Sequence, residues 1–184
     1  SSVADDFFVT ILRFATVFGH SRRPRFDLVA NLFTAQAITD GTVTVTGPRQ
    51  WRPFIHVRDV ARAIVLALKV PPGTVQGQIF NVGDRHLNMT ILGLAETVKK
   101  VVDDPRVVIS VRDQVDDRRS YAVCFDKIRS LLGFEASTTI AEGVREMAEQ
   151  LRLGHYFDYR NEIYSNLAVT RKAVVRFHDP EELS

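Results

Sequence analysis

Residues 8–14 read Phe-Val-Thr-Ile-Leu-Arg-Phe, a nearly continuous apolar run rich in β-branched and aromatic side chains. Such a run does not alternate apolar with polar positions. It predicts a strand covered on both faces, as in parallel sheets sandwiched between helices. That strand needs neighbours, which commits the chain to an α/β architecture. Residues 15–19 carry the chain off the strand's end, and in open α/β sheets ligands bind beyond the carboxyl ends of strands. Thr16 is therefore a candidate ligand contact, with a hydroxyl closing a turn as the equally simple alternative.

The rest of the chain supplies supporting elements. Residues 20–25 hold three arginines around Pro24, a basic loop that could meet phosphates or simply lie in solvent. Asp27 is a candidate N-cap for a helix in which Val29, Leu32, Phe33 and Ala37 recur at helical spacing up to Asp40-Gly41. Asn31, in its second turn, is placed to point at whatever the basic loop holds. Residues 42–46 (Thr-Val-Thr-Val-Thr) alternate as a half-buried strand does, and a turn at 47–50 leads into Trp51-Arg52-Pro53-Phe54-Ile55-His56. That strand sets Arg52 at its mouth. Asp59 opens the next helix as cap or first-turn acid, ahead of a stripe formed by Val60, Ala61, Ile64, Val65 and Leu68. His56, between Ile55 and Val57, is expected to be a packed and satisfied side chain.

Further on, residues 78–83 predict a strand ending in a polar turn. Thr90 caps a helix with Ile91, Leu94, Ala95, Val98 and Val102 on its buried face. Residues 107–111 predict a strand, residues 113–117 form an acidic loop beside Arg118 and Arg119, and Asp126 starts a short helix closed by Gly133. Thr139 and Glu142 have capping-box spacing, followed by Ile140, Val144, Met147, Ala148 and Leu151 as one face. Residues 156–184 lack steady periodicity and are expected to lie as a tail on the surface, with a strand at 173–177.

Composition narrows the class. With 184 residues the chain fits one domain or one and a half, and 45% hydrophobic with 25% charged residues is ordinary for a globular protein. A net charge of +2 is too small to suggest a nucleic-acid partner. No apolar run approaches the roughly 20 residues that span a bilayer, and no signal peptide opens the sequence, so no membrane partner and a cytoplasmic location are expected. Cys124 is the single cysteine. It excludes an intrachain disulfide and, flanked by Val123 and Phe125, predicts a buried inert thiol in a strand. The five histidines are scattered, so no metal site is expected. The chain opens at Ser1 and is expected to enter an apolar strand within a few residues, as an excised or cleaved piece does, with processing or partial disorder as the alternatives.

The ordered motifs resemble one family. Residues 12–19 (Leu-Arg-Phe-Ala-Thr-Val-Phe-Gly), residues 52–59 (Arg-Pro-Phe-Ile-His-Val-Arg-Asp), residues 80–83 (Phe-Asn-Val-Gly), residues 117–121 (Asp-Arg-Arg-Ser-Tyr) and residues 127–134 (Lys-Ile-Arg-Ser-Leu-Leu-Gly-Phe) resemble the extended short-chain dehydrogenases/reductases. More narrowly, they resemble the NAD-dependent epimerase/dehydratase group acting on nucleotide sugars. The resemblance runs from about residue 9 to residue 154 and covers that family's C-terminal, substrate-binding half. It implies the last strands of a Rossmann-type parallel sheet plus a smaller mixed α/β substrate-binding subdomain over residues 1–155.

The same resemblance implies that Phe14, Ala15 and Thr16 line the nicotinamide and sugar end of the pocket. It makes Arg52 and Arg119 the pair meeting a nucleotide diphosphate, a role suited to planar, permanently charged guanidinium forks. Arg25 and Asn31 become polar contacts near sugar or phosphates. Thr16 stands where many relatives place asparagine. The cofactor implied is NAD or NADP, held mainly by an N-terminal Rossmann half in the same or another chain. The other implied partners are a nucleotide-diphosphate sugar and, as a candidate assembly, a homodimer.

No catalytic residue is assigned within this chain. Its glycines never fall at dinucleotide-loop spacing, and the residues four after Tyr121, Tyr156, Tyr159 and Tyr164 are Phe125, Arg160, Ile163 and Ala168 rather than lysine. The expected activity of the complete protein is oxidation of a sugar carbon followed by epimerisation, elimination or reduction. The alternatives are a non-catalytic nucleotide-sugar-binding or protein-interaction module, and a degenerate fragment without activity.

Overall fold

A computed structural model describes residues 8–112 and 119–177. Strand β1 (Ile11–Phe14) pairs in parallel with β5 (Ile79–Val82), matching Arg13 with Asn81. Strand β2 (Thr16–Phe18) pairs in parallel with β4 (Trp51–His56), which pairs antiparallel with the short β6 (Asn88–Thr90). Strand β3 (Thr42–Thr46) runs parallel to β7 (Val108–Arg112). The fold is α/β with parallel and mixed sheets, the class that the apolar run and the alternating 42–46 segment required.

Helices α1 (Val29–Thr39), α4 (Ile91–Val102) and α6 (Ile140–Arg152) pack together over β3. The caps of the last two form as the sequence implied. Thr90 accepts from the Gly93 N–H at 3.0 Å, and Thr139 with Glu142 closes a reciprocal capping box. Both predicted faces, Ile91 to Val102 and Ile140 to Leu151, are buried. Helix α1 departs from an amphipathic pattern, since Ala30, Phe33 and Ala37 face one core while Ala35 enters a second with Phe26, Met147 and Tyr156. Gly143 lets α6 approach β2, because a Cβ there would stand 2.3 Å from the Phe18 ring.

Helix α2 (Val57–Lys69) follows β4 directly; after it come α3 (Pro72–Val75) and, beyond β7, α5 (Asp126–Leu132), which Gly133 closes in the left-handed region. Helix α2 begins two residues ahead of Asp59. His56 is its N-cap, with Nδ1 accepting from the Arg58 N–H at 3.3 Å. Asp59 sits in the first turn, fully buried, and accepts from the Ser137 N–H (3.1 Å), the Ser137 hydroxyl (3.0 Å), the Thr138 N–H (3.0 Å) and Arg62 (2.6 Å). One carboxylate thereby ties α2 to the approach of α6. Burial works against its charge, yet these donors outweigh it and hold its pKa below the usual carboxylate range.

Several expectations are corrected. The run at 8–14 is a strand only over Ile11–Phe14, and Phe8, Val9, Ile11 and Phe14 are exposed rather than covered, with β1 paired along one edge among the described residues. The stripe of α2 also faces outward, with Ile64 and Val65 exposed and Leu68 80% exposed, while Ala63 and Asp59 point inward. A stripe records that a face is apolar, and only packing decides whether anything covers it. Asp27 does not cap α1, since Leu28 is the N-cap of that helix and makes no side-chain cap bond. Cys124 is exposed and outside any strand, its thiol 3.2 Å from Asp126 Oδ2. The backbone there has a side chain for a partner, because the Asn88 amide donates to the Val123 carbonyl (3.1 Å) and accepts from its N–H (2.9 Å). Residues 173–177 belong to helix α7 (Asn166–Phe177), a short apolar run being compatible with either element. The acidic loop 113–117 and Arg118 lie outside the described residues. Among the described residues no helix is long and apolar enough to cross a membrane, and no His, Cys, Asp and Glu group is arranged to hold a metal ion.

Candidate functional site

Two adjoining clefts open beyond the carboxyl end of β1 and beside β4. The larger, about 570 Å³, is lined by Phe14, Ala15, Thr16, Arg25 and Asn31 together with the loop residues Ser21 and Arg23. The smaller, about 430 Å³, is lined by Arg52, Arg119, Gln50 and Asp27. Thr16, Leu28 and Tyr121 belong to both walls, so the two spaces meet there. All seven residues expected from sequence to meet the nicotinamide, the sugar or the diphosphate (Phe14, Ala15, Thr16, Arg25, Asn31, Arg52 and Arg119) thus line these two adjoining clefts, which share Thr16.

Their side chains are differently committed. Arg52 donates to its own neighbour's carbonyl at Trp51 (2.9 Å), to Gln50 Oε1 (3.2 Å) and to the Arg119 carbonyl, and its guanidinium lies 5.3 Å from the Tyr121 ring. The segment carrying Arg119 and Tyr121 is held to β4, since Trp51 N–H donates to the Ser120 hydroxyl (3.1 Å) and its carbonyl accepts from the Tyr121 N–H (3.2 Å). Those bonds bring two arginines 67 residues apart to one cleft. Gln50 and Tyr121 were missed as site residues. Gln50 had a signal, standing two residues before Arg52 in the turn that leads into β4; Tyr121 had only its nearness to Arg119.

Arg25 and Asn31 are engaged with the protein. Arg25 forks onto Asp27 (3.0 and 2.9 Å). Burial raises the Asp27 pKa, but the Arg25 hydrogen bond and charge, with the Asn166 N–H, outweigh it and set the pKa low. Asn31, buried in α1, accepts from the Gly19 N–H (3.0 Å) and donates to the Arg25 carbonyl (3.1 Å). Its amide therefore fixes the basic loop from beneath. Gly19 takes φ +107°, and a Cβ there would reach 2.2 Å from His56 Nε2. His56 itself is fully buried, edge-on to Phe18 and bonded through Nε2 to Glu146 (2.8 Å), which also pairs with Arg58. It is a packed and satisfied side chain beneath the site.

Parallel strands delivering their carboxyl ends to an arginine-lined cleft define an α/β protein of the Rossmann-like class. The model of the NAD dependent epimerase/dehydratase family matches residues 2–83. UDP-glucuronic acid decarboxylase 3 of Arabidopsis thaliana is 30% identical over 147 residues, which is 77% of this chain and 41% of that protein. Among solved structures, the UDP-glucose 4-epimerase with UDP-glucose from Thermotoga maritima superposes with a TM-score of 0.65 at 26% identity, over 78% of this chain and 46% of that one. The UDP-glucuronic acid 4-epimerase from Bacillus cereus, in complex with UDP-glucuronic acid and NAD, gives a TM-score of 0.66 at 22% identity over 78% and 45%. The chain belongs to the NAD-dependent epimerase/dehydratase family. It spans less than half the length of these relatives.

Proposed function

We propose that this chain is the substrate-binding portion of an NAD-dependent nucleotide-sugar epimerase/dehydratase. The observation that carries the reading is the junction at Thr16, where an arginine-lined cleft opens into a second space bounded by the end of β1. A diphosphate suits the first, because guanidinium forks keep their charge when desolvated and match phosphate oxygens. A sugar suits the second, with Thr16 beside it. The curated relative and the Thermotoga structure are both named for UDP-sugars, which supports a sugar nucleotide as the ligand.

The residues fit one end of the cofactor only. Ala15, small and 8% exposed, stands with Phe14 and Thr16 on the larger cleft, which leaves room for a flat ring against the strand end. These three would meet the nicotinamide, while the sequence offers no glycine-rich cradle for the pyrophosphate. When bound, NAD supplies the acceptor for a hydride from a sugar carbon. The residues of this chain bind and orient the sugar nucleotide, and the proton-transferring tyrosine and lysine come from outside it. The uncovered apolar surfaces of β1 and α2 support a covering Rossmann half, in the same or another chain.

Calorimetric titration with a panel of nucleotide sugars, with and without NAD, tests the reading. Arg52→Ala is expected to weaken binding by about 2–5 kcal/mol, since a desolvated charge-assisted pair is lost. Unchanged affinity sinks the assignment of Arg52. Binding of a nucleotide sugar that NAD never alters, even with a Rossmann half supplied, favours a non-catalytic module.

A further inference from the structure

The basic loop at 19–27 is gripped from a direction that the sugar-nucleotide reading leaves unused. Residues 156–166, more than 130 positions later in the chain, run across its outer side. The Tyr156 hydroxyl donates to the Ser21 carbonyl (2.7 Å) and lies 2.5 Å from His20 Nδ1. With the hydroxyl proton on Ser21, His20 donates from Nδ1 to the tyrosine oxygen. Arg23 reaches the Ile163 carbonyl through Nε (2.5 Å) and Asn166 Oδ1 through Nη1 (2.8 Å), and the Asn166 N–H returns a bond to Asp27 (3.3 Å). Phe26, at the loop's far end, meets the rings of Tyr156, Tyr159 and Tyr164 edge-on at 5.2–5.9 Å between centroids.

The far side of this segment is anchored in turn. The Tyr159 hydroxyl donates to Asp40 at 2.5 Å and Arg160 pairs with the same carboxylate at 2.7 Å, which pins the segment to the C-cap of α1. Tyr156 and Tyr159 are each only 7% exposed, and burial pushes the Tyr156 pKa up, so its hydroxyl stays a donor. Ser21, Arg23, Pro24 and Arg25 meanwhile line the larger cleft. The loop thus has the cleft on one side, Asn31 below and this segment on the other side.

The geometry points to residues 156–166 as a strap that sets the shape of the cleft-lining loop 19–27, with Tyr156 as its positioning residue and substrate affinity as its consequence. The affinity part rests on the sugar-nucleotide reading; the loop part does not. Five hydrogen bonds and an aromatic cluster hold the loop to the strap, so the strap decides where Arg23 and Arg25 stand before a ligand arrives. That is preorganisation, which strengthens binding by lowering the ordering cost.

Two measurements on the full chain test it, using Tyr156→Phe, which keeps the ring and its packing, and Arg23→Gln as a second variant at an exposed position. In amide hydrogen exchange, either variant is expected to speed exchange across residues 19–27 at least tenfold while α4 and α6 stay unchanged. Unaltered loop exchange in both overturns the strap. In calorimetric titration with UDP, Tyr156→Phe is expected to lose about tenfold in affinity. Full affinity in that variant, beside a wild-type chain that binds UDP, overturns the positioning role. A wild-type chain that does not bind UDP overturns the site reading and the affinity consequence with it, while the exchange measurement still decides the strap.

Discussion

The layer formed by α1, α4 and α6 and the surface formed by β1 and α2 are built from the same kind of sequence and end in opposite environments. Leu94, Val98, Val144 and Phe33 are almost entirely buried, whereas Ile11, Phe14, Ile64 and Leu68 are exposed. Both sets were legible as apolar segments, helical stripes in α1, α2, α4 and α6 and a continuous run at residues 8–14. What separates them is the presence of a facing element: α4 and α6 close on α1 and β3, and among the described residues β1 has β5 on one edge. The first region is a finished core, and the second is an apolar surface of the kind that marks an interaction site.

The contrast can be broken most sharply inside the helical layer. Leu94→Ala is expected to cost about 3–4 kcal/mol, the loss for a fully buried leucine that leaves a cavity, read as a shift in denaturant midpoint. A cost near zero would mean that this layer is no core.

Asp59→Ala comes next, at about 2–3 kcal/mol, because the Ser137 and Thr138 N–H groups lose their buried acceptor. The same residue gives a pH signature. Its folded pKa lies below its unfolded value, so its stabilisation is present above about pH 4 and is lost as pH falls through the folded pKa. Melting temperature against pH should fall less steeply on the acid side in Asp59→Ala, and parallel acid limbs would remove Asp59 from this role.

Tyr159 gives the opposite arm. Burial first, and then its bond to Asp40, push its pKa up to about 12, so stability held below about pH 10 declines as pH rises towards that value. Tyr159→Phe should flatten this alkaline decline. The effect is smaller than that of Asp59 because one anchored hydroxyl is involved rather than a carboxylate with four donors.

Leu68→Ser on the uncovered surface is expected to change stability by less than about 0.5 kcal/mol and to reduce self-association measured by sedimentation. A loss comparable with that of Leu94→Ala would show that this face is covered in solution, and the comparison between the two regions would collapse.

Much of the fold was legible before any coordinates. The alternation at 42–46, the Thr90 cap, the Thr139 and Glu142 box and the Gly133 stop each use residues within four positions of one another, and each forms as local chemistry requires. The site was legible in outline, since Thr16 at a strand end and Arg52 at a strand mouth do line adjoining clefts. Asn31 was readable as a polar interruption near a basic loop. That its amide is spent on the loop's own backbone was not, because the Gly19 and Arg25 partners become neighbours only once the loop folds over the helix.

The sequence alone determined the α/β class, the helix boundaries set by caps, and the arginines available to an anion, because those depend on side-chain pattern and on bonds between near neighbours in the chain. Tertiary structure decided the exposure of Cys124 and of the α2 stripe, the meeting of Arg52 with the Arg119 backbone, and the grip of Tyr156 on Ser21. Each of these depends on which distant segment arrives to cover or bond a residue, and that choice belongs to the packing of the whole chain.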